Sequence, residues 1–450
     1  MAAAVADVAI AAVLATAGGC VACSCEQAAK TVAAAHQAAV RWAVVMALGS
    51  SRSWDQIKPR ARAASAATPF LPGRRHWHIG PHMADLSTPP APLAFSRAPH
   101  PARVPGETRA EAIADPKFGT VFTDHMVVVD YDADKGGWHQ AQVLPRGPIP
   151  LDPAASVLHY AQEIFEGMKA YRHPDGSLAL FRPGENARRF NDSARRMAMP
   201  ELPEALFLES LRQLLAVDGA WVPDSEGASL YLRPFMFASE AFLGVRPARQ
   251  YKFVVIACPV GAYFKSGHGA VKIWVSRDYV RAAPGGTGAA KTGGNYAASL
   301  VPQAEGIAHG CDQVVFLDAV ERRWIEELGG MNLFFVFDDG SVVTPPLGTI
   351  LPGITRDSLM TLLRDEGLTV REANYGIDQW RADAASGKLI ETMACGTAAV
   401  VTPVGTVLDH DGEFTIGGGG TGQITARMRD MLTGIQTGKR PDPHGWVVKL

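Results

Sequence analysis

What the chain lacks narrows it first. Neither sign of charge is in excess: 43 Lys and Arg stand against 45 Asp and Glu, a formal net charge of −2 over 450 residues. No broad basic face is available, so no nucleic-acid partner is expected. Cysteine is scarce, with 6 in all. Cys258, Cys311 and Cys395 stand alone in apolar runs and read as reduced thiols of a cytoplasmic protein, not as a disulfide framework. Cys20, Cys23 and Cys25 form a C-x-x-C-x-C cluster with no second half, so no zinc or other metal site is expected. Long apolar runs are missing too. Residues 8–22 come closest, but they are short, broken by glycine and without a positive flank, and read neither as a signal peptide nor as a membrane span.

Residues 1–82 differ from the rest. They are rich in Ala and Arg and carry only Asp7, Glu26 and Asp55 as acids. Met83 opens a run that reads like an ordinary protein start. The expectation is that translation begins there and that residues 1–82 are a disordered or mis-annotated extension. A connector rich in glycine then divides the remainder into a small domain at 83–260, a linker at 261–270 and a large domain at 271–450.

The most informative stretch is Pro284-Gly285-Gly286-Thr287-Gly288-Ala289-Ala290-Lys291-Thr292-Gly293-Gly294-Asn295-Tyr296. A lone lysine between glycine clusters is held by main chain, since glycine lets backbones approach closely. Two chemistries fit such an amine: condensation with an aldehyde cofactor, or phosphate binding in a P-loop. The P-loop pattern fails at Ala290, where the second glycine is required, and eight residues (277–284) separate the lysine loop from the strand before it. An NTPase remains only a remote alternative.

Around this loop the pattern is α+β. Strands are expected at 126–131, 178–181, 230–237, 252–258, 271–276 and 313–318, with a hairpin at 333–345 turning on Asp338-Asp339-Gly340. Helices are expected at 185–199, 206–217, 297–308 and from 355 to about 366, the last with Thr355 as its N-cap and a ready anion site at its start. Arg233 is charged within an otherwise apolar strand and is costly to bury without an anion.

Four separated motifs occur in order: Phe165-Glu166-Gly167-Met168-Lys169-Ala170-Tyr171, Lys291-Thr292-Gly293-Gly294-Asn295-Tyr296, Glu327-Leu328-Gly329-Gly330-Met331-Asn332 and Leu351-Pro352-Gly353-Ile354-Thr355-Arg356. Together they resemble the branched-chain amino acid aminotransferases, fold-type IV enzymes dependent on pyridoxal phosphate, over roughly residues 90–450. The resemblance implies a two-domain fold like that of D-amino acid aminotransferase, with a hairpin-rich large domain. It also implies reversible amino transfer from L-leucine, L-isoleucine or L-valine to 2-oxoglutarate, in amino-acid biosynthesis. D-Amino acid aminotransferase and aminodeoxychorismate lyase are alternatives on the same fold.

By that resemblance Lys291 joins pyridoxal phosphate covalently and carries the proton of the reaction. Glu327 meets the ring nitrogen, with Glu326 beside it as a rival, and Tyr296 meets the phenolic oxygen. Arg189, Ile354, Thr355 and Thr397 hold the phosphate, with Arg188 the rival of Arg189. Tyr160, Thr397 and Ala398 match positions that hold the substrate carboxylate, and Tyr231 with Arg233 matches the pair that takes the side-chain carboxylate of glutamate. Phe165 and Tyr263 match walls of the apolar pocket. Leu243 and Val245 match positions that reach the neighbouring subunit's pocket, which implies a homodimer. Gly330 departs from the threonine of many relatives, and Ala399 and Thr402 replace the C-x-x-C pair of mammalian ones.

Overall fold

The computed structural model describes residues 93–116, 118–261 and 269–450, all within the unit Ser87–Leu450. The expectations for residues 1–82, for most of the 261–270 connector and for Tyr263 fall outside the described residues. Eight strands come from the first part of the chain: β1 (Ser96–Arg97), β2 (His125–Asp132), β3 (Gly137–Pro145), β4 (Glu163–Phe165), β5 (Met168–Arg172), β6 (Leu178–Phe181), β7 (Ser229–Ala238) and β8 (Gln250–Val260). Four helices lie among them: α1 (Gly106–Ala114), α2 (Ser156–Tyr160), α3 (Pro183–Arg196) and α4 (Glu204–Asp218). The second part supplies β9 (Val271–Ser276), β10 (Gln313–Leu317), β11 (Ile325–Leu328), β12 (Asn332–Phe337), β13 (Ser341–Thr344), β14 (Thr369–Glu372), β15 (Leu389–Gly396), β16 (Val400–Asp409), β17 (Gly412–Thr415) and β18 (Val447–Lys449). Its helices are α5 (Gly293–Ala297), α6 (Leu300–Ala308), α7 (Ile354–Asp365), α8 (Ile377–Ser386) and α9 (Gln423–Gln436).

These strands form two sheets. The first runs β1-β3-β2-β8-β7-β5-β6-β18 with β4 beside β7, antiparallel except where β1 meets β3. The second runs β11-β10-β9-β16-β15-β12-β13-β14 with β17 beside β16, and it is mixed: β9 pairs in parallel with both β10 and β16. The last strand, β18, crosses back to pair with β6.

Each sheet has its own core. In the first, β2 is buried on both faces. Val127 and Val129 pack with Phe190, Phe207 and Trp221, whereas Met126 and Val128 pack with Phe237 and Val254. Each large apolar side chain buried this way contributes roughly 1.5–3 kcal/mol. On α3 the three-to-four spacing buries Ala187, Phe190 and Ala194 as expected, and the helix's arginines separate: Arg188, Arg195 and Arg196 are exposed while Arg189 is buried.

Two helix expectations need correction. The run after the lysine loop is two helices rather than one, because Pro302 has no N–H to give the carbonyl of Ala298 and the chain restarts as α6. The N-cap of α7 is Gly353, not Thr355, and no side chain caps it. Its first N–H groups therefore stay open, and Thr355 sits buried within the first turn.

Candidate active site

The residues of the sequence motifs meet between the two sheets, lining one cavity of about 210 Å³. From the first sheet and its helices come Phe165, Arg189, Tyr231 and Arg233; from the second part come Lys291, Tyr296, Glu327, Ile354, Thr355, Thr397 and Ala398.

Lys291 is held as its setting demands. Its N–H donates to Ser193 Oγ at 2.9 Å, and its carbonyl accepts from Phe165 N at 3.0 Å. The Asn295 side chain clamps the loop by donating to the carbonyls of Thr287 and Ala290, both at 2.8 Å. Gly288 has to be glycine, since a Cβ there would lie 1.9 Å from the Thr349 carbonyl oxygen. The amine that emerges donates to Tyr296 Oη at 2.7 Å and lies 4.9 Å from the centre of the Phe165 ring. Lys291 faces aromatic side chains, not a loop of N–H groups, so the P-loop reading ends here.

Glu327 projects into the cavity from β11, 2% exposed. Leu351 N donates to Oε1 at 3.1 Å, Asn332 Nδ2 donates to Oε2 at 3.2 Å, and Arg281 forms an ion pair with it at 2.7 Å. Burial pushes its carboxyl up to about 7, against the pull of Arg281. Glu326 is not the rival it could have been: it accepts the Thr349 hydroxyl and does not line the cavity.

Anion-binding groups gather beside Arg189. This guanidinium is buried and bidentate to Glu166, Nε to Oε1 at 2.8 Å and Nη2 to Oε2 at 2.9 Å, while Nη1 donates to the Pro352 carbonyl at 3.1 Å. Burial raises the Glu166 carboxyl, but Arg189 outweighs it and holds the group below its ordinary value. Of the five N–H groups of an arginine, three are committed here and two have no partner among the described residues, in a cavity that the open N-terminus of α7 and Thr397 also line. Arg188 is exposed and pairs with Glu185.

Arg233 differs. Nη2 donates to Tyr231 Oη at 3.1 Å, and the guanidinium lies 4.7 Å from the Phe165 ring centre and 5.3 Å from that of Tyr231. No carboxylate among the described residues forms an ion pair with it, and its Nε is buried without a hydrogen-bond partner there. Opposite, Thr397 and Ala398 form the turn between β15 and β16. Lys169 Nζ donates to the Ala398 carbonyl at 2.9 Å, and burial lowers that amine to about 8. The turn ends on Val400 at φ 60°, a left-handed conformation that a β-branched residue rarely takes.

Of the residues expected to line this cavity Tyr160 does not, and Leu243 and Val245, expected to reach a neighbouring subunit's pocket, lie outside it as well. Tyr160, Leu243 and Val245 are exposed, with the Tyr160 hydroxyl donating to the Leu243 carbonyl. Sequence reading missed Arg281, Glu166, Asn332 and the contact made by Lys169. A charged residue in an apolar context, the signal that flagged Arg233, also marks Glu166 and Lys169.

The donor set fits pyridoxal phosphate: an amine hydrogen-bonded to a phenol, a buried carboxyl, and an anion cup with two guanidinium N–H groups uncommitted among the described residues. The Amino-transferase class IV family matches residues 163–407. The branched-chain-amino-acid aminotransferase of Mycolicibacterium smegmatis is 57% identical over 364 residues, 80% of this chain and 99% of that protein. That of Mycobacterium tuberculosis (strain H37Rv) is 59% identical over 347 residues, 76% of this chain and 94% of that protein. Among solved structures, the branched-chain amino acid aminotransferase from Escherichia coli overlays with a TM-score of 0.58 at 29% identity, covering 72% of this chain and 98% of that one. A second solved branched-chain amino acid aminotransferase, in a structure with pyridoxamine 5'-phosphate, overlays at 0.59 with 28% identity, covering 71% of this chain and 97% of that one. Fold, ordered motifs and relatives agree, and the chain belongs to the class IV aminotransferases.

Proposed function

We propose that the protein transfers the amino group of L-leucine, L-isoleucine or L-valine reversibly to 2-oxoglutarate. The observation that carries this reading is Arg233, a guanidinium without an ion-pair partner among the described residues, set against the rings of Phe165 and Tyr231. Such a wall accepts an aliphatic side chain in one half-reaction and the side-chain carboxylate of glutamate in the other.

When bound, pyridoxal phosphate supplies the aldehyde that takes up the amino group and the ring that delocalises the electron pair left at the substrate Cα. Lys291 Nζ is the covalent anchor and then the base that removes the Cα proton, its reach fixed by the loop that Asn295 clamps. Tyr296 orients that amine through its hydroxyl. Glu327 is the buried carboxyl that would hold the ring nitrogen's proton, and Arg189 with the N–H groups of Ile354 and Thr355 and the Thr397 hydroxyl would hold the phosphate. The Thr397–Ala398 turn, held by Lys169, takes the substrate carboxylate.

Tyr160, Leu243 and Val245 are assigned to a second copy of the chain, with Tyr160 entering alongside Leu243, to which it is bonded. Their exposure as large side chains supports a homodimer with shared sites. We take residues 83–260 and 271–450 as two domains, described residues of both lining the cavity. We place the enzyme in the cytoplasm, consistent with Cys258, Cys311 and Cys395 being buried and without a disulfide partner among the described residues.

Purified protein should be yellow, and L-leucine should shift its visible absorbance while D-alanine leaves it unchanged. A shift with D-alanine and none with L-leucine would move the assignment to the D-amino acid branch of the fold.

A further inference from the structure

We infer that Arg281 is a positioning residue of the reaction: its guanidinium holds the Glu327 carboxyl toward the cavity and opposes its neutralisation by burial, so that the cofactor's ring nitrogen keeps its proton. This rests on the reading of Glu327 above.

The two side chains pair at 2.7 Å, each 2% exposed. Arg281 Nη1 also lies 3.4 Å from the carbonyl of Gly288, in the lysine loop, and 3.4 Å from that of Thr349, in the loop before α7. One side chain thus joins the segment bearing Lys291, the strand bearing Glu327 and the approach to the anion cup. As a structural device it is a poor one. Two buried charges are often less stable than an apolar pair of the same volume, and Arg281 Nε is buried without a hydrogen-bond partner among the described residues. Packing alone gives no reason for an arginine here, whereas a requirement for charge at Glu327 does.

The charged and titratable groups that act on Glu327 are Arg281, Lys291, Glu326 and the Cys395 thiol. Arg281 is the cation in contact. The Lys291 amine is engaged with Tyr296, and it ceases to be a free ammonium once joined to the cofactor. Glu326 works the other way, raising its neighbour. Without Arg281, burial favours the neutral acid, and a neutral acid leaves the ring nitrogen without its proton.

The test follows the ring nitrogen directly, by the ¹⁵N NMR shift of holoenzyme loaded with ¹⁵N-labelled pyridoxal phosphate, at neutral pH, alongside kcat and the thermal unfolding of the apoprotein. Wild type should show a protonated ring nitrogen. Arg281→Met should show an unprotonated one, with kcat at least about tenfold lower, the equivalent of one pKa unit, in an apoprotein that is less stable than wild type, because Glu327 loses its partner, but still unfolds cooperatively. Arg281→Lys should restore the protonated shift and most of kcat. A folded Arg281→Met whose ring nitrogen stays protonated overturns the inference. If that variant does not fold, Arg281→Gln takes its place, and the same retained proton overturns the inference. An unprotonated ring nitrogen in wild type, or a protonated one in Glu327→Gln, overturns the reading of Glu327 itself and is distinguishable from failure at Arg281.

Discussion

Arg189 and Arg233 line the same cavity and are treated in opposite ways. Arg189 is buried against Glu166, which also accepts from Asn186 Nδ2 at 2.7 Å and from Gly167 N at 3.1 Å. Arg233 has aromatic faces and one hydroxyl, and no carboxylate among the described residues pairs with it. A permanent counter-charge suits a guanidinium that keeps one ligand through every turnover, because the pair holds its geometry whether or not the ligand is there. The other arrangement suits a ligand that comes and goes. On the proposed reading of Arg233, its charge has to be available to glutamate and tolerable when leucine is bound, and π-faces supply a weak, non-competing partner.

Breaking the paired region should have the largest effect. Glu166→Ala leaves Arg189 as a lone buried charge and should cost about 3–5 kcal/mol of stability, read by denaturant unfolding of the apoprotein. An unchanged midpoint would mean that the pair is not part of the fold. Arg233→Met should change stability little. It should lower kcat/KM for glutamate roughly 10- to 100-fold, the worth of a hydrogen bond to a charged group, with leucine nearly unaffected. Equal losses for both donors would erase the distinction between the two arginines.

A smaller effect is expected at the turn opposite Arg233. Lys169 is lowered from 10.5 to about 8, so above about pH 8 the folded protein releases this proton while the unfolded chain keeps it up to about 10.5. The unfolded state then binds more protons, and stability rises with pH across that window. Wild type should therefore gain about 1–3 kcal/mol relative to Lys169→Met between those limits. A pH-independent difference would mean that burial of the amine is less complete than its 6% exposure indicates. The smallest change belongs to Arg188→Ala. Its pair with Glu185 is at the surface, and the variant should shift stability by less than about 1 kcal/mol and leave turnover unaltered.

Much of this was legible in the sequence. The glycine-flanked Lys291, the charge at Arg233 in an apolar strand and the ordered motifs led to one cavity, and the strands at 178–181 and 271–276 appear at the expected residues. What was not legible is partner choice. Glu166 finds Arg189 and Glu327 finds Arg281 only because elements distant in sequence pack together, β4–β5 against α3 in one case and β11 against the loop after β9 in the other, and no local spacing encodes that packing. Glu326 and Glu327 could not be told apart by polarity because both are buried; the pleat of β11 decides which one faces the cavity. The N-cap of α7 was misread because Thr355 has a capping residue's chemistry, but the chain turns two residues earlier, at Gly353.

The most direct test of the central claim is borohydride reduction of the yellow holoenzyme followed by peptide mass mapping. The phosphopyridoxyl mass should sit on the peptide containing Lys291 and be absent from the one containing Lys169. An adduct on Lys169, or no adduct on Lys291, would contradict the account.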